Sequence, residues 1–321
     1  MKKIVKIVVG LLGIVLFFAL CGAGFIYFRG IPTYPVNMPD NLKNLKVEVS
    51  PQKVDRGLKI AAMLCKQCHL GEDGKLSGKK MLDLPTDFGT AYTMNITQSK
   101  EKGIGNWTDG QLFYFLRTGI KPSGEYAPAY MPKFPNMADS DLEAVIAYLR
   151  SATPEVQASE IQPPKNQPNF MVKFLCNVAF KPFPLPEKPI VVPDSANKIE
   201  LGKYLANGMI NCYGCHSADF KTVNDLNPEK SVGFYGGGNP LLNEEGQVIP
   251  SSNITMDSET GIGKVSEQQF IEAVKYCKKP GSGNPLRYPM IPHTTLTDYE
   301  ASAIYAYLQT VPKVVNKVEG K

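Results

Sequence analysis

The sequence predicts an all-α protein: two small, similar helical domains in tandem behind one N-terminal membrane-crossing helix. Three observations predict it. An uncharged run, Ile7 to Phe28, follows Lys2, Lys3 and Lys6 and is closed by Arg29. A five-residue pattern, Cys-x-x-Cys-His, occurs at 65–69 and again at 212–216. The stretches that follow the two patterns repeat each other, and each ends in an apolar-periodic helical segment.

The N-terminal run holds 22 residues. As a helix it is about 33 Å long, enough to cross a hydrocarbon core of about 30 Å. Its basic residues lie on the N-terminal side, which places the bulk of the chain outside the cytoplasm. The expectation is a single anchor, residues 1–29, in a bacterial inner membrane, with both domains in the periplasm. The competing reading is a cleaved signal peptide, for which Cys21-Gly22-Ala23 is a weak site and the run is long. Lipidation at Cys21 fits poorly with Leu20 before it.

The remaining chain is long enough for two ordinary domains and their connectors, out of 321 residues in all. A net charge of +5 is modest and spread along the sequence. No run of lysine and arginine stands out, so nucleic acid is excluded as a partner.

The first short pattern is Cys65-Lys66-Gln67-Cys68-His69 and the second is Cys212-Tyr213-Gly214-Cys215-His216. This is the attachment signal for c-type haem. Two thiols must reach the two vinyl groups on one porphyrin edge, and the histidine that follows at once delivers its imidazole to the iron. Two covalently bound haem c groups are expected. Zinc between two Cys pairs is the rival, but the pairs are 147 residues apart and each is followed by histidine. A thioredoxin-like reading lacks its βαβ setting.

The internal repeat identifies candidates for the opposite iron ligand. Asn95-Ile96-Thr97 recurs as Asn253-Ile254-Thr255, and Gly103-Ile104-Gly105 as Gly261-Ile262-Gly263. Thr108 and Ser266 then stand as N-caps before helical segments. Second helices run from Asp139 to Leu149 and from Thr297 to Leu308. Of the 11 methionines, one pair coincides in the aligned halves: Met131 and Met290, each 18 residues before the terminal leucine. Met94 and Met256 flank opposite sides of the Asn-Ile-Thr and are not equivalent. Prolines around the chosen pair favour an extended loop that holds a side chain toward a metal. The three histidines of the chain leave His293 as a rival to Met290; the blander reading is a surface or propionate-contacting residue.

With these residues in place the chain resembles a known family, the multihaem cytochrome c subunits of membrane-bound bacterial alcohol, aldehyde and sugar-acid (gluconate) dehydrogenases and their diheme relatives. The resemblance spans about residues 50 to 312. It rests on Phe88-Gly89-Thr90, Asn95-Ile96-Thr97, Gly103-Ile104-Gly105, Trp107 and Tyr130-Met131-Pro132 in the first half. In the second it rests on Gly236-Gly237, Asn253 to Asp257, Gly261-Ile262-Gly263 and Tyr288-Pro289-Met290. It implies two tandem cytochrome c domains with His69/Met131 and His216/Met290 as axial pairs. Departures are two haems where those subunits typically carry three, an N-terminal anchor, and Val265 in place of Trp107.

The expected organisation is a stalk at 30–48, domain one at 49–153, a proline-rich connector at 154–193, domain two at 194–313 and a polar tail at 314–321. The apolar stretch Met171 to Phe180 is too short to span a membrane and is expected to strap the haem domains. Cys176 and Cys277 are left over: a disulfide or two plain buried thiols, with Cys277 as a thiolate ligand the sharper alternative. The expected function is electron relay between redox proteins: a dehydrogenase or quinol-oxidising complex on one side, an oxidase or soluble cytochrome on the other. No catalytic residue is assigned. The alternative is a diheme peroxidase or thiosulfate-type oxidoreductase, which needs one open iron.

Overall fold

A computed structural model describes residues 2–318 apart from residue 244. Its longest element is the helix Lys2–Arg29, in which no residue is buried. Length and composition make it able to cross a membrane.

In the first half, Ser50 accepts a hydrogen bond from the Lys53 amide and Pro51 occupies the first helical position. Both favour a helix start, and the helix Pro51–Leu64 follows. Its partner is the terminal helix Asp139–Leu149. The two cross at Gly57, where an added Cβ would lie 1.9 Å from the Ala144 carbonyl oxygen. The second half repeats the crossing. Helix Lys198–Lys203 meets helix Asp298–Leu308, and a Cβ on Gly202 would lie 1.9 Å from the Ala303 carbonyl oxygen. The leading helix here continues as a π-helical segment, Tyr204–Met209. Gly202 stands ten residues before Cys212, whereas Gly57 stands eight before Cys65. The surplus lies in the wider π turn and in the left-handed Asn211 just before Cys212.

The middle helices, Asp109–Thr118 and Glu267–Tyr276, begin at the expected Thr108 and Ser266. Each start is a capping box closed by Gln111 or Gln269. Thr297 is the N-cap of the last helix rather than its first residue, with Glu300 completing a third box. The strands are short: Gly89–Thr90 pairs with Gln167–Pro168, and Pro240–Leu242 with Val248–Pro250. The architecture is helical, as the periodicity requires.

The apolar stretch in the connector forms the helix Phe170–Val178. It straps only part of what was expected. Val172 and Cys176 are buried against Tyr126 of the first half, and the Asn177 side chain donates to the Gly30 carbonyl at the end of the N-terminal helix.

The two halves share one core cluster. Their contact is built from the leading helix of the first half. Arg56 donates to Asp141 at 2.7 and 2.8 Å and also reaches Glu300 of the other half. Lys59 pairs with the same Glu300. The Tyr204 hydroxyl donates to Asp141 at 2.5 Å and accepts from the Ala138 amide. Burial alone would raise the Glu300 carboxyl; the Lys59 and Thr297 bonds outweigh it and hold it below the usual carboxylate range.

Candidate functional site

Each Cys-x-x-Cys-His pattern lies on a single helical turn, Lys66–His69 and Cys212–His216. That turn faces a loop bearing the Asn-Ile-Thr, and the same bonds recur in both halves. His69 Nδ1 lies 2.8 Å from the Met94 carbonyl oxygen, and His216 Nδ1 lies 2.8 Å from the Ser252 carbonyl oxygen. A carbonyl only accepts, so Nδ1 carries the proton in each ring. Nε2 is then left with its lone pair, the arrangement a metal-binding imidazole needs. Burial lowers the His69 imidazole below its ordinary value, against the opposing pull of the Met94 bond. The neutral, ligating form is thereby favoured.

The two carbonyls belong to the residues just before Asn95 and Asn253. Met94 is therefore matched with Ser252, in keeping with the repeat, and holds its histidine through the backbone. The asparagines fix the loops. Asn95 Oδ1 accepts from the Thr97 amide and hydroxyl, and Asn253 Oδ1 accepts from the Thr255 amide and hydroxyl. Their amide groups tie down the chain beyond each terminal helix, at Ser159 and Ile161 in one half and at Val314 in the other. The Gly-Ile-Gly follows from the same packing. Ile104 donates to the Thr97 carbonyl and Ile262 to the Thr255 carbonyl, both at 2.9 Å. A Cβ at Gly103 or Gly261 would come within 2.3 or 2.2 Å of those carbonyls. Glycine is required by close approach.

Met131 and Met290 also occupy matched positions. Three residues beyond each, a backbone amide returns to the middle helix: Phe134 to Leu116 at 2.8 Å, His293 to Val274 at 3.0 Å. Four residues before each, Ala127 and Leu286 bond the carbonyls of Gly119 and Cys277. In the first half this brings Met131 to the wall of a cavity of about 550 Å³. Cys65, Cys68 and His69 line it too, with Trp107, Phe115, Leu116 and Phe134. The volume falls in the range of cofactor sites and the walls are predominantly apolar. Two thiols, an imidazole with a free lone pair and a thioether therefore meet on one apolar chamber, a donor set that fits haem c. Burial pushes the Cys65 thiol up to about 12, as it does that of Cys212.

The second half keeps the frame and changes the lining. Position 265 is valine where the first half has Trp107, and His293 stands where the first has Phe134. The surface reading of His293 is overturned: it is 8% exposed. Its Nδ1 is buried with no hydrogen-bond partner among the described residues. Burial first, and the nearby His216 second, pull this imidazole down to about 4. Cys176 and Cys277 are both free. Cys277 is the C-cap of its helix in the left-handed conformation, φ 53°, where the first half has Gly119. Its Sγ donates to the Met290 carbonyl at 3.4 Å. Among the described residues no three His, Cys, Asp or Glu side chains gather as a metal-ion site, so the two Cys pairs do not converge on zinc.

Residues 54–153 match the Cytochrome c family. The first half is a cytochrome c domain. Covalent haem c is the prosthetic group of that family, and the cavity beside Cys65, Cys68 and His69 lies within the matched residues. The cytochrome is 30% identical over 272 residues to the fructose dehydrogenase cytochrome subunit of Gluconobacter japonicus, covering 81% of this chain and 52% of that one. It is 29% identical to a diheme cytochrome c-type protein of Cereibacter sphaeroides, over 78% of this chain and 82% of the other. It is 27% identical over 274 residues to the cytochrome c subunit of the quinone-dependent alcohol dehydrogenase of Gluconacetobacter polyoxogenes, over 81% of this chain and 56% of that one. The cytochrome thus spans about half the length of these dehydrogenase subunits.

Sequence reading missed four elements of the site frame: Gly57 and Gly202 at the helix crossings, and Arg117 and Lys275 on the middle helices. Arg117 is fully buried, donates to the Phe134 and Pro135 carbonyls, and pairs with Asp139. Lys275 makes the matching pair with Asp298 at 2.5 Å. A signal existed, because Arg117 and Lys275 hold the same place in the repeated helices. It carries meaning only once the methionine loop is seen to lie across that helix.

Proposed function

We propose that this chain is a membrane-anchored diheme cytochrome c with its two haem domains, residues 49–153 and 194–313, on the periplasmic side. It relays electrons from a dehydrogenase or quinol-oxidising complex to a downstream acceptor such as a terminal oxidase. Cys65 and Cys68 would hold one haem and Cys212 and Cys215 the other, with His69/Met131 and His216/Met290 as the axial pairs. The observation that carries this reading is the duplicated frame: both histidines have Nδ1 tied to a matched carbonyl, and both methionines precede a matched backbone bond to the middle helix.

Bound at such sites, haem c would supply a reversible one-electron couple, and a donor set of one histidine and one methionine would favour a high potential. The chain's own residues do the rest. The Met94 and Ser252 carbonyls orient the imidazoles and raise their basicity. Trp107, Phe115 and Phe134 line the first chamber and make its wall apolar. The contact between halves holds the two sites in one unit through Arg56, Lys59 and Glu300. It also links the site loops directly, since the Tyr288 hydroxyl, two residues before Met290, donates to Asp83 of the first half at 2.7 Å. The dehydrogenase partnership draws on the names of the relatives above, and the side of the membrane on the basic residues before the anchor.

The test is absorption spectroscopy of the purified protein, with carbon monoxide added after reduction. The oxidised form should show a sulfur-to-iron band accounting for both haems, and carbon monoxide should scarcely bind. Met131→Ala should abolish half the band, admit carbon monoxide at one iron and lower its potential by on the order of 100 mV or more, within the roughly 0.8 V that axial ligands span. Ready carbon monoxide binding by the unaltered protein would instead point to an open iron and peroxidase-type chemistry.

A further inference from the structure

We infer that the helix Phe170–Val178 is a second membrane contact, lying in the lipid interface beside the outer end of the anchor and fixing how the first cytochrome domain faces the bilayer. The inference rests on the reading of Lys2–Arg29 as a membrane span.

The helix presents three faces with three different environments. Val172 and Cys176, 3% and 0% exposed, pack against Tyr126 and the rim of the first half. Lys173 and Asn177, a turn apart, address the end of the anchor. Asn177 Nδ2 donates to the Gly30 carbonyl at 2.9 Å and Lys173 Nζ to the Tyr27 carbonyl at 3.4 Å, with the ammonium 4.4 Å from the Tyr27 ring centre. These donors satisfy carbonyls at a helix C-terminus, where a cation is also favoured. The third face is apolar and open. Phe170, Met171, Phe174 and Val178 are 41%, 44%, 38% and 56% exposed. At about 100° per residue they fall within one arc of roughly 100°.

The position of this open face names its occupant. Tyr27 and Arg29 mark where the anchor's apolar run ends, with an aromatic residue and a charge as expected at a membrane–water boundary. A helix tied to Tyr27 and Gly30 therefore sits at headgroup level. An amphipathic helix there buries its apolar face about 5–10 Å into the boundary between headgroups and acyl chains. The helix packs beside the anchor, none of whose own residues is buried in the chain. The first half cannot tilt freely, because the strand Gln167–Pro168 just before the helix pairs with Gly89–Thr90 and the Phe183 amide just after it bonds the Thr118 carbonyl.

The experiment uses full-length haem-loaded protein in nanodiscs of phosphatidylethanolamine and phosphatidylglycerol. The photoreactive residue p-benzoylphenylalanine replaces Phe174, Met171, Phe17 in the anchor, or Val248 in the second half, one at a time. After irradiation, lipid adducts are counted by mass spectrometry, and haem absorbance checks that each variant is folded. Adducts at 174 and 171 comparable to those at 17, and about tenfold above those at 248, are expected. Adducts at 17 with none at 174 or 171 would overturn the inference and leave the anchor reading standing. No adducts at 17 would remove the anchor reading and the inference with it. In native membranes, cross-links from 174 to a protein in place of lipid would also overturn it, because the face would then be a subunit contact.

Discussion

The two halves of this cytochrome share a backbone frame and differ in what they hang on it. Histidine–carbonyl bonds, Asn-Ile-Thr turns, close-approach glycines and methionine loops recur with the same partners to within a few tenths of an ångström. The lining does not recur. The first half encloses its chamber with Trp107, Phe115 and Phe134 and a fully buried Arg117. The second has Val265, a buried His293 and a lysine whose partner, Asp298, is largely exposed. The difference teaches that the frame repeats the placement of a histidine and a methionine, whereas the side chains around them set polarity and solvent access, two levers on the potential of a bound haem.

The sharpest way to break that comparison is to remove the matched cations. Arg117→Met strips two buried carbonyls and Asp139 of their partner and should cost about 3–5 kcal/mol, as breaking a buried pair does. Lys275→Met removes a pair whose carboxylate is in water and should cost about 1 kcal/mol or less. Denaturant unfolding with absorbance at each haem would compare the two; equal costs would mean that the burial difference has no energetic weight.

Next in size is the contact between the halves. Glu300 is held below its ordinary value in the folded chain by Lys59 and Thr297, so its contribution is full above the unfolded value near 4.5 and is lost as pH falls through the lower folded value. At pH 7, Glu300→Gln should be less stable than the unaltered protein by roughly 1–2 kcal/mol, and the gap should narrow as pH falls below 4.5. A gap that does not change with pH would remove Glu300 from the account.

A conservative exchange of linings should have a smaller effect. His293→Phe gives the second half the residue of the first and removes a buried unpartnered nitrogen. Stability should change by no more than about 1 kcal/mol, and the sulfur-to-iron band should persist. Loss of low-spin character at the second haem would show that His293, not Met290, is its ligand. Smallest are the caps. Thr108→Ala and Ser266→Ala each remove one side of a capping box and should each cost about 1 kcal/mol, equally in the two halves.

The sequence alone determined the features that are local or periodic. The long apolar N-terminal helix is a matter of length and composition, the helix starts at Thr108 and Ser266 are capping chemistry, and Cys-x-x-Cys-His is a spacing rule. Repetition matched Met131 with Met290 because a duplicated chain carries its own alignment. What only the tertiary structure decided depends on approach between distant segments. Gly57 and Gly202 mattered because a carbonyl of the terminal helix lies where a Cβ would be. Arg117 mattered because the methionine loop lies over it. The Met94 and Ser252 carbonyls act through backbone, which side-chain identity cannot report. His293 went from a surface or propionate-contacting residue to a buried one, and the connector helix from a strap on the haem domains to a contact between the first half and the end of the N-terminal helix. In each case the deciding quantity was a distance across the fold, and no pattern along the chain encodes such a distance.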